Sequence, residues 1–244
     1  MQNNYISTLE KSTEKARLYH QTEETLCRYL AYRDVPGLIK KYVKGSKALD
    51  YGAGTGISTR FLIDRGFDVN GVDVSQAMIE QASVLCPFTD FNLVENGKLP
   101  FTSETFDFIF SSFVLFEIPN STEMVTYLRE AARLLKKDGT CILITGSEEM
   151  YQSDFLVMQT DFPENHEASS GDEVKIYLPD VDIEFTDYYW SSKDYNECFK
   201  KAGMEIKEVH YPLGKKEEPW DWKDECVVSP FVIYVMSKHV IKRF

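Results

Sequence analysis

The spacing of apolar positions changes several times along this chain, and each change marks an element. Within 12–43, Leu18, Leu26, Tyr29, Leu30, Leu38, Ile39 and Val43 recur at helical intervals, which predicts helices. Pro36 marks a break, with Asp34 as the cap of a second short helix. Lys47–Tyr51 reads as a strand, 59–65 as helix stopped by Gly66, and 67–73 as an alternating strand that ends in an acid. Ser75 caps a helix carrying Met78, Ile79 and Ala82, and 90–94 is a third strand. The apolar run 106–110 reads as a strand buried on both faces, 124–135 as amphipathic helix, 136–139 as a turn, and 140–145 as the next apolar strand. Strands and helices thus alternate through the first 145 residues, the signature of a parallel sheet with helices on both faces.

The stretch 148–180 breaks this rhythm. So long a polar segment predicts a functional lid or a mobile loop. Strand, helix and strand follow at 181–190, 193–202 and 204–211, then a charged loop at 215–224 with Trp220 and Trp222, and a final apolar strand at 231–236. Tyr188, Tyr189 and Trp190 are expected at a sheet edge.

Composition narrows the function classes. The 244 residues are 43% hydrophobic, enough for one domain with a proper core, and the formal net charge of −12 argues against a broad nucleic-acid surface. Cys27, Cys86, Cys141, Cys198 and Cys226 are odd in number and form no Cys-x-x-Cys. That argues against a disulfide framework or a zinc site and fits a reducing compartment. The segment 1–15 has no apolar signal region, and 226–236 is too short to span a bilayer. The expectation is a soluble, cytoplasmic protein with no metal, no membrane and no nucleic-acid partner; its oligomeric state is left open.

The chemistry concentrates in Ala48-Leu49-Asp50-Tyr51-Gly52-Ala53-Gly54-Thr55-Gly56-Ile57-Ser58. Glycine at alternate positions lets backbone fold sharply or touch a ligand. No lysine follows to make a phosphate-binding P-loop, and Ile57 stands where a dinucleotide fingerprint needs its third glycine. A ligand with a zwitterionic amino-acid end and no phosphates is the better match. Asp73, ending the second strand, can accept both ribose hydroxyls.

Residues 50–56, Gly71-Val72-Asp73-Val74-Ser75-x-x-Met78, Leu99-Pro100-Phe101 with Phe106-Asp107, and Ser111-Ser112-Phe113-Val114-Leu115 together resemble the class I S-adenosylmethionine-dependent methyltransferases. The resemblance covers about 47–146. It implies that Asp50 and the backbone of Gly52, Ala53, Gly54 and Gly56 hold the methionine end, and Asp73 the ribose. Val74 and Met78 would flank adenine, with Glu95 and Asn96 beside it, and Ser111 would offer its carbonyl to the ammonium. Tyr19 and Arg33 are further cofactor candidates from the N-terminal helices. Glu117 and His166 are the candidate bases, and Tyr188–Trp190, Trp220 and Trp222 could line an aromatic acceptor wall.

The resemblance further implies an α/β, Rossmann-like, doubly wound sheet of seven strands in the order 3-2-1-4-5-7-6, the last antiparallel. The whole of 1–244 is read as one methyltransferase domain. It comprises an N-terminal helical cap (1–45), a cofactor-binding core (47–146), a lid (147–180) and a C-terminal sheet half (181–244). The expected activity is methyl transfer from S-adenosyl-L-methionine to an oxygen, nitrogen or carbon of a small-molecule acceptor, yielding S-adenosyl-L-homocysteine. A non-catalytic cofactor-binding or scaffold protein on the same fold is the alternative. A nicotinamide dehydrogenase is disfavoured by Ile57 and by the lack of a second dinucleotide-binding half.

Overall fold

A computed structural model describes residues 4–7 and 13–239; the expected helical start at Ser12 lies outside them. The strands are β1 (Asn4–Ser7), β2 (Lys47–Tyr51), β3 (Asp68–Asp73), β4 (Asp90–Leu93), β5 (Phe106–Ser112), β6 (Leu135–Gly146), β7 (Glu173–Leu178), β8 (Ile183–Tyr188), β9 (Met204–His210) and β10 (Phe231–Lys238). The α-helices are α1 (Thr13–His20), α2 (Leu26–Tyr32), α3 (Val35–Tyr42), α4 (Ile57–Ile63), α5 (Gln76–Leu85), α6 (Ser121–Leu134) and α7 (Ser192–Ala202).

Seven strands form one sheet in the order β4-β3-β2-β5-β6-β10-β9. Pairing is parallel from β4 to β6, and β10 runs antiparallel to both of its neighbours. Counted along this sheet alone, the order is the expected 3-2-1-4-5-7-6. The reason is legible in β5, where Phe108, Ile109 and Phe110 are fully buried. Phe108 and Phe110 join the core on one face and Ile109 that on the other, as alternate strand residues must. Helices cover both faces: α1 packs on α5, and α6 on α7. The Asn120 side chain caps α6 by accepting from Glu123 N at 2.9 Å.

Three local expectations need correction. The strand at 181–190 does not edge the main sheet. Its core, β8, belongs to a separate three-stranded sheet, β1-β8-β7, and β7 lies inside the segment expected to be an irregular lid. Residues 136–139 do not form a turn between helix and strand. Strand β6 begins directly after α6, and its register against β5 is irregular there. Asp34 makes no capping bond to α3, because its carboxylate is taken by Arg33 and His210. Among the described residues no helix is long and apolar enough to cross a membrane.

Candidate active site

After Tyr51 the chain turns through three glycines with positive φ: Gly52 at 83°, Gly54 at 51° and Gly56 at 89°. The turn is pinned at both ends. Gly52 N and Ala53 N both donate to Val72 O at 2.9 Å, and Gly56 N to Ala53 O at 2.9 Å. Asp73 holds its middle, accepting from Gly54 N through Oδ2 and from Ser75 N through Oδ1, both at 2.9 Å.

The glycines are not equivalent. A Cβ on Gly54 would meet nothing within 4 Å among the described residues, so this backbone faces open space. A Cβ on Gly56 would stand 3.0 Å from Ala82 Cα, so this glycine serves the close approach of α4 to α5. Gly56 therefore lies behind the loop and is not on its open face, a correction to its expected ligand role.

The open space is a cavity of about 750 Å³ at the carboxyl ends of β2, β3 and β5, where open α/β sheets bind ligands. Gly52, Ala53 and Gly54 form one wall; Asp73, Val74 and Met78 form the next. Glu95 and Asn96 stand at the rim, Glu95 in a loose ion pair with Lys98 at 3.9 Å. Glu117 and Tyr19 face the cavity from other elements, and the Tyr19 hydroxyl donates to Glu117 Oε1 at 2.5 Å. The packing of α1 on α5, through Ala16, Ala77 and Met78, puts Tyr19 there. Its phenol is pushed well above the ordinary value, chiefly by burial and next by the charge of Glu117.

The side chains of four further candidates lie elsewhere. Asp50 is fully buried beneath the loop, where Ser58 Oγ and Thr59 Oγ1 donate to its Oδ2 at 2.7 and 2.6 Å. Its Oδ1 is buried with no hydrogen-bond partner among the described residues, and burial raises the carboxyl to about 6. The Ser111 side chain points inward to Tyr127 Oη at 2.8 Å, which leaves the role expected of its carbonyl untouched; the side chain of the next residue, Ser112, lines the cavity. Arg33 is tied to Asp34, to Glu218 at 3.0 Å and to Leu213 O at 2.7 Å, away from the cavity. His166 is exposed and bonded to Asp161 at 2.7 Å. The expected aromatic wall also falls away. Trp220 and Trp222 pack their loop against Tyr29, and Tyr188 and Trp190 are buried in the core.

Among the lining residues that escape sequence reasoning is a cation, Arg28. Its guanidinium bonds Thr22 O at 3.2 Å, Thr22 Oγ1 at 2.9 Å and Tyr32 Oη at 3.4 Å, and lies 5.6 Å from the Phe113 ring centroid. Nothing in its helical spacing separates it from a surface arginine.

Residues 49–143 match the family model described as a methyltransferase domain. A demethylmenaquinone methyltransferase from Tropheryma whipplei is 38% identical over 101 residues, 41% of this chain and 41% of that protein. A phosphatidylethanolamine N-methyltransferase from Cereibacter sphaeroides is 28% identical over 107 residues, 41% of this chain and 51% of that protein. The chain thus spans about two-fifths to half the length of these curated relatives. In overall fold it is similar to an S-adenosylmethionine-dependent methyltransferase from Clostridium acetobutylicum, with TM-score 0.66, 15% identity, and coverage of 93% of this chain and 99% of that one. Residues 49–143 thus match a methyltransferase domain, and the chain shares its overall fold with S-adenosylmethionine-dependent methyltransferases.

Proposed function

We propose that this chain transfers the methyl group of S-adenosylmethionine to a small-molecule acceptor in the cytoplasm and releases S-adenosylhomocysteine. The observation that carries this reading is the open backbone of Gly54, bonded directly to Asp73 at the cavity wall. A side chain at residue 54 would occupy the space a ligand needs. The orphaned Asp50 Oδ1 adds a buried negative centre beneath the loop, which suits a cationic amino-acid end above it.

Each residue then has a task. Gly52, Ala53 and Gly54 let the methionine end approach the backbone, and Arg28 is the nearby cation for its carboxylate. Asp73 accepts from the ribose hydroxyls, while Val74 and Met78 flank adenine, with Glu95 and Asn96 at its edge. Bound S-adenosylmethionine supplies an electrophilic methyl on an already activated sulfonium. Positioning and water exclusion can therefore carry much of the rate. Glu117, oriented by Tyr19, receives the proton of the acceptor's hydroxyl, amine or acidic C–H group. The whole of 1–244 serves as one methyltransferase domain, its outer parts shaping the acceptor side.

Calorimetry with S-adenosylhomocysteine tests the donor half. Wild type should bind, and Asp73→Ala should weaken binding at least tenfold. Radiolabelled S-adenosylmethionine with demethylmenaquinone (in its reduced form) and phosphatidylethanolamine, the acceptors named for the relatives, tests the acceptor half. Absence of wild-type affinity overturns the proposal. Binding without turnover over a broad acceptor panel favours the non-catalytic alternative.

A further inference from the structure

We infer that a second, apolar chamber beside the large cavity seats the apolar tail of the methyl acceptor, making the acceptor an amphipathic molecule. This rests on the function proposed above and names its substrate class. The chamber has a volume of about 60 Å³ and shares Tyr19, Arg28 and Phe113 with the large cavity. Such a volume has room for a few waters or a short alkyl segment.

Its far wall is built from Met150 and Met158, from Ile176 and Leu178 of β7, and from Phe185 of β8, all buried. These residues lie outside 49–143, so the segment matched by the family model does not dictate them. Thioether and aliphatic walls leave a water few partners and favour an apolar guest. Methionine side chains can also shift to admit a larger one. The polar groups, Thr22, Thr25, Arg28 and Asp187, lie towards the helices and the end of β8.

Tyr19 is the partition. Its ring meets Phe185 edge-on at 5.1 Å on the chamber side, and its hydroxyl is held by Glu117, which lines the large cavity. An acceptor passing Tyr19 would keep its reacting hydroxyl or amine beside Glu117 while its tail enters the chamber. A wholly polar acceptor would leave that apolar wall unused.

The test uses the full chain saturated with S-adenosylhomocysteine and titrated calorimetrically with 4-n-alkylphenols from methyl to hexyl. Affinity should rise about fourfold per methylene over the first few carbons, then level off. Ile176→Phe, which fills the chamber, should abolish the rise while S-adenosylhomocysteine affinity stays within twofold. Met158→Ala, which enlarges it, should carry the rise to longer chains. A flat wild-type series on the S-adenosylhomocysteine complex marks a packing void and overturns this inference alone. A rise that persists in Ile176→Phe also overturns it. Should Ile176→Phe fail to fold, Met158→Ala decides, an unchanged levelling point being the contrary result. A wild type that takes up no S-adenosylhomocysteine overturns the proposed function, and this inference with it.

Discussion

The Tyr19 hydroxyl donates to Glu117 Oε1, joining an N-terminal helix to the turn after β5 across 98 positions of sequence. Burial, reinforced by the charges of Glu117 and Asp187, keeps the phenol protonated well above its ordinary range. Tyr19 is therefore a fixed donor and Glu117 the acceptor. Glu117→Gln should lower kcat about 100-fold with S-adenosylhomocysteine affinity little changed. Tyr19→Phe should cost less, about tenfold, because the carboxylate remains but loses its orientation. The pH–rate profile of the wild type should show no limb from tyrosine ionisation below pH ~9; such a limb, absent in Tyr19→Phe, would contradict the assignment.

Gly54 and Gly56 separate binding from stability. Gly54→Ala puts a methyl into open cavity and should cut S-adenosylhomocysteine affinity at least tenfold. Gly56→Ala drives a methyl against Ala82 backbone at a φ of 89°. Left-handed backbone costs both variants about 1–2 kcal/mol, but only Gly56→Ala adds the contact with Ala82, so Tm should fall further in that variant. Equal effects of the two variants on binding would contradict the distinction.

Asp50 gives a pH signature to the unliganded protein. Its folded carboxyl, raised by burial to about 6 from the ordinary 3.8, holds a proton that the unfolded chain has already lost. Stability should therefore fall as pH climbs from about 4 to about 6, by at most roughly 3 kcal/mol. The cost persists at neutral pH. Asp50→Asn should remove that slope, so its Tm relative to wild type should improve between pH 4.5 and pH 7. Thermal scans at the two values decide.

Arg33 provides the contrast. It anchors the loop carrying Glu218 and Leu213 and does not line the cavity. Arg33→Ala should lower stability by about 1–3 kcal/mol, read by urea denaturation, and leave S-adenosylhomocysteine affinity within twofold. A large loss of affinity would return Arg33 to the site.

What the sequence made legible was local in its physics. The loop at Gly52–Gly56 and the acid ending β3 declare themselves because backbone turns and strand ends constrain residue type nearby. Ser111 and Ser112 differ by one position and by opposite fates. Only the register of β5 against β6, and the Tyr127 hydroxyl beyond it, decides which one faces the cavity. Arg28 was hidden because its value comes from elements far away in sequence. His166 looked promising through its location in a polar segment, yet β7 and β8 fold that segment so that its ring meets Asp161 at the surface. The second sheet was unreadable for the same reason: the partner that completes it is β1, at the other end of the chain.

That partner also bears on the order of synthesis. Strand β1 lies parallel to β8, with Asn4 opposite Ile183, so nearly three-quarters of the chain must emerge from the ribosome before the two can meet. The glycine loop, Asp73 and the strands from β2 to β6 are all complete by Gly146. Pairings distant in sequence close late. The residues of the donor side thus leave the ribosome before those of the wall that would receive an acceptor.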